Sequence, residues 1–409
     1  MHVHSRRFFL GQGLCGCALA MVGANAWTRV LATEFTPLVG QNYRPVEPDE
    51  RGLWQSCEKL EEQIAASNRL IESPELTRYL TGVVLQLTEG ITSNIRVYPV
   101  WESDFNASMF PNGIMVVNSG FLARARNEAQ LAAVLGHECG HFLRRHSLKN
   151  WRSARSKAAV GAFIAAGANV ATGVTGTNWY DLANAINQNL LLSVFQYKRE
   201  LETEADAYGL KLLTQRGYPP EAAGQVWSQL IEERKASAAA RQKRDRESRS
   251  SFNTHPPPSD RMRDLTQTAE QYRGRARTDQ QYDARRGPFL DAIRNLRPQF
   301  IEEQVKLNDS GASLYLINSL ARDGWDGPLR YYEGEVYRLR NETGDSERAA
   351  NAFATAVLLP DAPSQAYRAH GYALLKAGEN ERGKQYLRRY LELVPQATDA
   401  AMIQFTLNQ

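Results

Sequence analysis

Residues 137–141 read His-Glu-Cys-Gly-His, and no other stretch of this 409-residue chain constrains its fold so tightly. On an α-helix, side chains advance by about 100° per residue, so His137 and His141 lie about 40° apart and can share one ion. The surroundings suit a helix that starts near Asn127 and runs through Arg145, with Leu131, Val134 and Leu135 ahead of the motif. Two imidazoles leave a catalytic zinc short of a protein ligand, because such sites keep three plus an open position for water. A second element must therefore bring in a third donor. His146 would fall about 180° around a continuous helix from His137, so it is expected at the surface or behind the ligands, not on the ion.

The densest acidic cluster downstream is Glu200-Leu201-Glu202-Thr203-Glu204-Ala205-Asp206. Spacing alone offers two i,i+4 pairs, Glu200/Glu204 and Glu202/Asp206. The apolar face of this helix carries Leu201, Ala205, Gly209 and Leu212; Glu202 lies about 70° from its centre and Glu200 about 130°. An ion buried between helices needs the former, so Glu202 is the expected third ligand. Asp206, one turn on, is placed to accept the free ring N–H of a metal-bound histidine and fix its tautomer. Glu200 and Glu204 are expected on a solvated acidic face.

Around this centre the chain reads as several parts. Ser5-Arg6-Arg7-Phe8-Phe9-Leu10 resembles a twin-arginine export motif, followed by an uncharged small-residue run with possible cleavage after Ala26 or Ala32. Residues 1–32 are therefore set apart as a signal segment directing export to the periplasm. Its loss leaves only Cys57 and Cys139, one of them inside the motif, so no structural disulfide is expected. Two helices follow across Gly52–Glu89, separated by Ser73 as cap and Pro74 as first helical residue. Short strands are expected at Ile95–Val100 and Ile114–Val117, the latter as a sheet edge open to an extended substrate, with Pro99 favouring an edge or strand end. Residues 158–180 hold no charge, yet their Ala, Gly, Thr and Asn content favours a buried or mobile helix over a membrane span. The dense charge run Arg241–Arg249 reads as a solvated loop. Past Gly287 the chain turns helical, and Thr343-Gly344-Asp345 recurs as Ala377-Gly378-Glu379, Leu359-Pro360 as Val394-Pro395. This spacing resembles tetratricopeptide repeats. The expected architecture is mainly α with a small β-sheet (an α+β domain around the metal motif, 33–270), a helical linker (271–326) and an all-α repeat domain (327–409). A net charge of only +4, from 49 basic and 45 acidic residues, argues against a nucleic-acid partner.

The ordered set NASMFPNGIMVVN (106–118), HECGH, ETEADAYGL and THPPPSDRM resembles the CAAX-protease/HtpX-like gluzincin family. With the export-like start and terminal repeats, it is most similar to the soluble periplasmic BepA-like branch. The resemblance implies one zinc ion per chain held by His137, His141 and Glu202, with Glu138 as general base in endopeptide hydrolysis. It also implies that His255, in the His-Pro motif, can approach the zinc as a self-inhibiting switch. A competing reading is a loop histidine that stabilises the transition state or merely packs. Cys139 departs from the small or aliphatic residue more usual there. Implied substrates are unfolded or misassembled envelope proteins, with a protein partner in the repeat groove. The rival expectation is a chaperone or assembly factor for outer-membrane proteins whose peptidase site is largely silenced.

Overall fold

A computed structural model describes residues 37–92, 94–156, 197–244, 258–275 and 281–408. The export-like start, the uncharged segment 158–180, His255 and most of the charge run Arg241–Arg249 lie outside the described residues.

The first two helices, α1 (Pro48–Ala65) and α2 (Pro74–Thr88), each begin at a proline, whose missing N–H costs nothing in a first turn. Ser73 caps α2, its Oγ accepting from Leu76 N at 3.3 Å. The buried stripe Leu76, Leu80, Val83, Val84 and Leu87 then faces the core. Glu89 (φ 48°) and Gly90 (φ 70°) turn the chain out of the helix.

Three strands follow, β1 (Arg96–Val100), β2 (Ala107–Met109) and β3 (Ile114–Asn118), in the order β1-β3-β2. The expectation of an edge strand at Ile114–Val117 is thereby overturned. β3 is central, parallel to β1 from Arg96↔Ile114 to Val100↔Asn118 and antiparallel to β2 through Ser108↔Val116. Its apolar run is what a strand with neighbours on both sides carries. Pro99 falls on the outer strand β1, where its missing donor breaks no ladder. The rim of β1 is closed by bonds from Ile71 N to Pro99 O (2.9 Å) and from Trp101 N to Arg69 O (2.7 Å). On the opposite side, Asn118 N donates to Asn106 O (3.1 Å) and Phe110 N to Ile114 O (2.8 Å). Residues 106, 108 and 110 thus face β3, and the amides of Ala107 and Met109 turn away from it.

After the short α3 (Ser119–Arg124), α4 (Glu128–Leu143) carries the paired histidines and α5 (Arg199–Gln215) the acidic cluster. Their backbones meet closely because glycines line the crossing. A Cβ on Gly209 would stand 2.7 Å from His137 N, and one on Gly140 3.1 Å from Ala205 O. Helix α6 (Glu221–Ala240) and α7 (Pro258–Arg275) pack as a pair beside them.

Further along, α8 (Arg286–Ile293), α9 (Arg297–Lys306) and α10 (Ser310–Leu320) send Phe289, Ile293, Phe300 and Leu316 into the same buried cluster as the sheet and α4. Arg124 ties the two regions, donating to both oxygens of Glu233 (2.7–3.1 Å) and to Gln304 Oε1 (2.5 Å). Two helical hairpins complete the described chain before α15 (Ala400–Asn408): α11 (Gly327–Arg340) with α12 (Asp345–Ala356), then α13 (Ser364–Lys376) with α14 (Asn380–Leu393). Each crosses at a glycine, Gly334 against Phe353 and Gly371 against Leu387. The hairpins bury separate small clusters, around Tyr331, Phe353 and Ala366 and around Leu387, Tyr390 and Ile403, as stacked units do. Among the described residues no helix is long and apolar enough to cross a membrane.

Candidate active site

Helix α4 is capped with care at its start. Asn127 Oδ1 accepts from Gln130 N (2.9 Å), and Gln130 Oε1 accepts from Arg126 N (3.0 Å). Behind the first turn, buried Glu128 accepts from Tyr79 and Tyr218 hydroxyls, both at 2.7 Å, and from Arg285 (3.1 Å). The helix ends at Leu143, because Arg145 takes a left-handed conformation (φ 56°).

His137, His141 and Glu202 converge, all buried. His137 Nε2 and His141 Nε2 are 3.0 Å apart, and Glu202 reaches them at 3.6 and 3.5 Å. The 3.6 Å distance is from His137 to Oε2 and the 3.5 Å distance from His141 to Oε1. One ligand atom from each of the three residues lies within 4.8 Å of the others. Donors about 2.0–2.1 Å from a tetrahedral zinc stand roughly 3.3 Å apart, so small side-chain adjustments suffice for the three to share one ion. Charge agrees with geometry. Glu138, Glu202 and Asp206 are buried carboxylates, and Arg261 is the buried cation among them. Burial holds both imidazoles below their ordinary 6.5, His141 well below, which keeps their lone pairs free. A divalent cation offsets the two negative charges left over.

Asp206 stands behind His137, its Oδ1 2.8 Å from Nδ1. A carboxylate so placed can accept Nδ1–H and turn Nε2 toward the cluster; Arg261 Nη2 also lies 3.0 Å from Nδ1. Burial alone would raise Asp206, yet Arg261 and His137 hold it below the usual carboxylate range. Arg261 donates to both Asp206 oxygens, through Nε at 3.1 Å and Nη2, and stacks on Trp227 at 4.1 Å. Glu138 and His137 border a pocket whose walls include Phe105, Val134, Leu213, Trp227 and Leu265. One carboxylate therefore faces an apolar chamber beside three metal-competent atoms.

Of the two places expected for His146, the surface or behind the ligands, it takes the second: it is fully buried, with Nδ1 2.9 Å from His141 Nδ1. The 180° argument assumed a continuous helix, and the turn at Arg144–Arg145 breaks it. The expectation of a solvated Glu204 fails, since it binds Arg144 and lies 3.3 Å from His146 Nε2. Glu200 is exposed as expected. Cys57 and Cys139 are both free and buried.

Sequence reasoning missed Arg261 and Tyr197. Arg261 had a signal: it shares the spacing of Leu265, Thr268 and Ala269, all buried on α7, and a charge on an apolar stripe demands a partner. Tyr197 had none. Its ring stacks on His141 (centroids 3.7 Å, 13° between planes), and its hydroxyl meets Ser147 at 2.7 Å. Burial, with Glu138 adding to it, pushes the Tyr197 phenol well above 10.

Residues 76–269 match the sequence profile described as peptidase family M48. The beta-barrel assembly-enhancing protease of Escherichia coli is 26% identical over 223 residues, 52% of this chain and 42% of that protein. Its namesake from Yersinia pestis is 25% identical over 218 residues, 51% of this chain and 42% of the relative. The mitochondrial metalloendopeptidase OMA1 of Arabidopsis thaliana is 32% identical over 155 residues, 35% of this chain and 26% of the relative. The match with the bacterial relatives spans about two fifths of their length. Matched profile, converging ligand atoms and the glutamate beside them agree, and residues 76–269 are a peptidase M48 domain.

Proposed function

We propose that this chain is an exported, zinc-dependent metalloendopeptidase acting on unfolded or misassembled envelope proteins in the periplasm. The observation that carries the reading is the convergence of His137, His141 and Glu202 beside Glu138. In this reading one zinc ion is held by those three side chains, with Asp206 orienting His137. Zinc, when bound, supplies a Lewis acid and lowers the pKa of water in its open position to roughly 7.

The chain's own groups do the rest. Glu138 takes the proton of the attacking water and delivers it to the leaving amine. The pocket around Val134, Leu213 and Trp227 excludes bulk water and favours an apolar substrate side chain. The outward amides of Ala107 and Met109 on β2 offer an extended peptide a strand to pair with, a mode suited to unfolded chains. His255 precedes buried Arg261 by six residues, and that closeness supports its role as a switch at the open position.

The hairpins from Gly327 to Leu393 are read as tetratricopeptide repeats that hold a protein partner. The relatives' name, beta-barrel assembly-enhancing protease, supports an assembly role beside proteolysis. Metal analysis and casein turnover test the core of the reading. One zinc per wild-type chain, little in His141→Ala, and zinc without turnover in Glu138→Gln are expected. A Glu138→Gln variant as active as wild type would sink it. Greater turnover by His255→Ala tests the switch, and an equal rate refutes it.

A further inference from the structure

The two histidines are held from behind in different ways. His137 turns Nδ1 straight to a carboxylate, Asp206. His141 turns Nδ1 to a third imidazole, His146, at 2.9 Å. Beyond it, Glu204 Oε2 lies 3.3 Å from His146 Nε2, off the direction of the N–H, while Oε1 takes Arg144.

Two ring nitrogens 2.9 Å apart, at a place where no ion is to sit between them, must share one hydrogen, since two would clash and none would leave lone pairs facing each other. If Nε2 of His141 is reserved for the ion, its Nδ1 carries the hydrogen. Nδ1 of His146 is then the acceptor, and its own hydrogen sits on Nε2, 3.3 Å from Glu204 Oε2 though not aligned with it. This one assignment avoids both clashes at the Nδ1 pair. The ring of His141 is also clamped from its face by Tyr197.

We propose that His146 is a positioning residue of the metal centre, locking His141 in its Nδ1–H tautomer, with the Glu204–Arg144 pair lying behind it. This rests on the reading of His141 as a zinc ligand. Helix α5 then serves the site three times: Glu202 on the ion, Asp206 behind His137, and Glu204 behind His141 by way of His146. The left-handed turn at Arg145 is what brings His146 back beneath the helix it has just left.

Zinc competition against a fluorescent chelator, on the full chain, tests this with wild type, His141→Ala, His146→Leu and His146→Gln. His146→Leu keeps bulk without an acceptor and is expected to bind zinc about 10–100-fold more weakly. His146→Gln offers an amide oxygen to His141 Nδ1–H and should return to within about threefold of wild type. In zinc-loaded wild type, ¹⁵N shifts should show His146 protonated at Nε2 and bare at Nδ1. Wild-type affinity in His146→Leu, failure of glutamine to rescue, or the opposite His146 tautomer each overturns the inference. If the leucine variant does not fold, the tautomer measurement decides alone. Undiminished zinc in His141→Ala would instead remove the metal-site reading on which this one rests.

Discussion

Asp206 performs two tasks, and Asp206→Asn should fail at both by different amounts. The first task is electrostatic. Asp206 and Arg261 are each 5% exposed, and the guanidinium bonds both carboxylate oxygens. Removing one partner of such a pair costs about 3–5 kcal/mol, because the other charge stays buried. Trp227, 4.1 Å beneath the guanidinium, returns about 2 kcal/mol and holds it in place. The second task is orientation of His137, whose loss weakens metal binding about 10–100-fold. Urea denaturation of the metal-free chain reads the first and chelator competition the second. The double variant Asp206→Asn/Arg261→Met separates them: methionine removes the stranded charge and fills the space. Stability should return by most of the loss while zinc affinity stays low. A double variant no more stable than Asp206→Asn would refute the stranded-charge argument, and unchanged zinc affinity in Asp206→Asn would refute the tautomer argument.

Three further outcomes are expected. Glu138→Gln should retain zinc while peptide turnover falls by about 10²–10⁴, the usual contribution of a general base; zinc loss in that variant would mean the glutamate acts as a ligand. Gly209→Ala places a methyl 2.7 Å from His137 N, forcing α5 away from α4; a stability loss of about 1–3 kcal/mol with weaker zinc binding is expected, and a neutral result would show that the crossing can relax. Asp345 is fully buried and accepts from Arg340 (2.7 and 2.8 Å) and Glu342 N (3.0 Å), and its bond with Arg340 holds its carboxyl far below the ordinary 3.8. Its stabilisation of the C-terminal hairpins is therefore complete above about pH 4 and lost as pH falls further. Circular dichroism of Asp345→Asn should show the hairpins already weakened at pH 6, with a flatter response to acid than wild type.

Much of the site was legible because it depends on helical pitch. His137 and His141 share a face whatever surrounds them, and the angle from the apolar stripe selected Glu202 over Glu200. Ser73-Pro74 marks a helix start through bonds made within four residues. What the local pattern could not supply was neighbourhood. Ile114–Val117 looks the same as an edge or a central strand, since only the arrival of β1 and β2 on its two sides decides. For His146 the pattern left two places open, and one left-handed residue, Arg145, decides between them by undoing an angle counted along an unbroken helix.

The sequence by itself determined which atoms can bind an ion, through spacings that one helical turn enforces. The tertiary structure alone decided what stands behind those atoms: Arg261 from α7, Tyr197 from the approach to α5, and His146 from beyond a turn. The physical reason is range. Pitch acts over four residues, whereas neutralising the buried charge of Asp206 needs a partner 55 positions away in the chain.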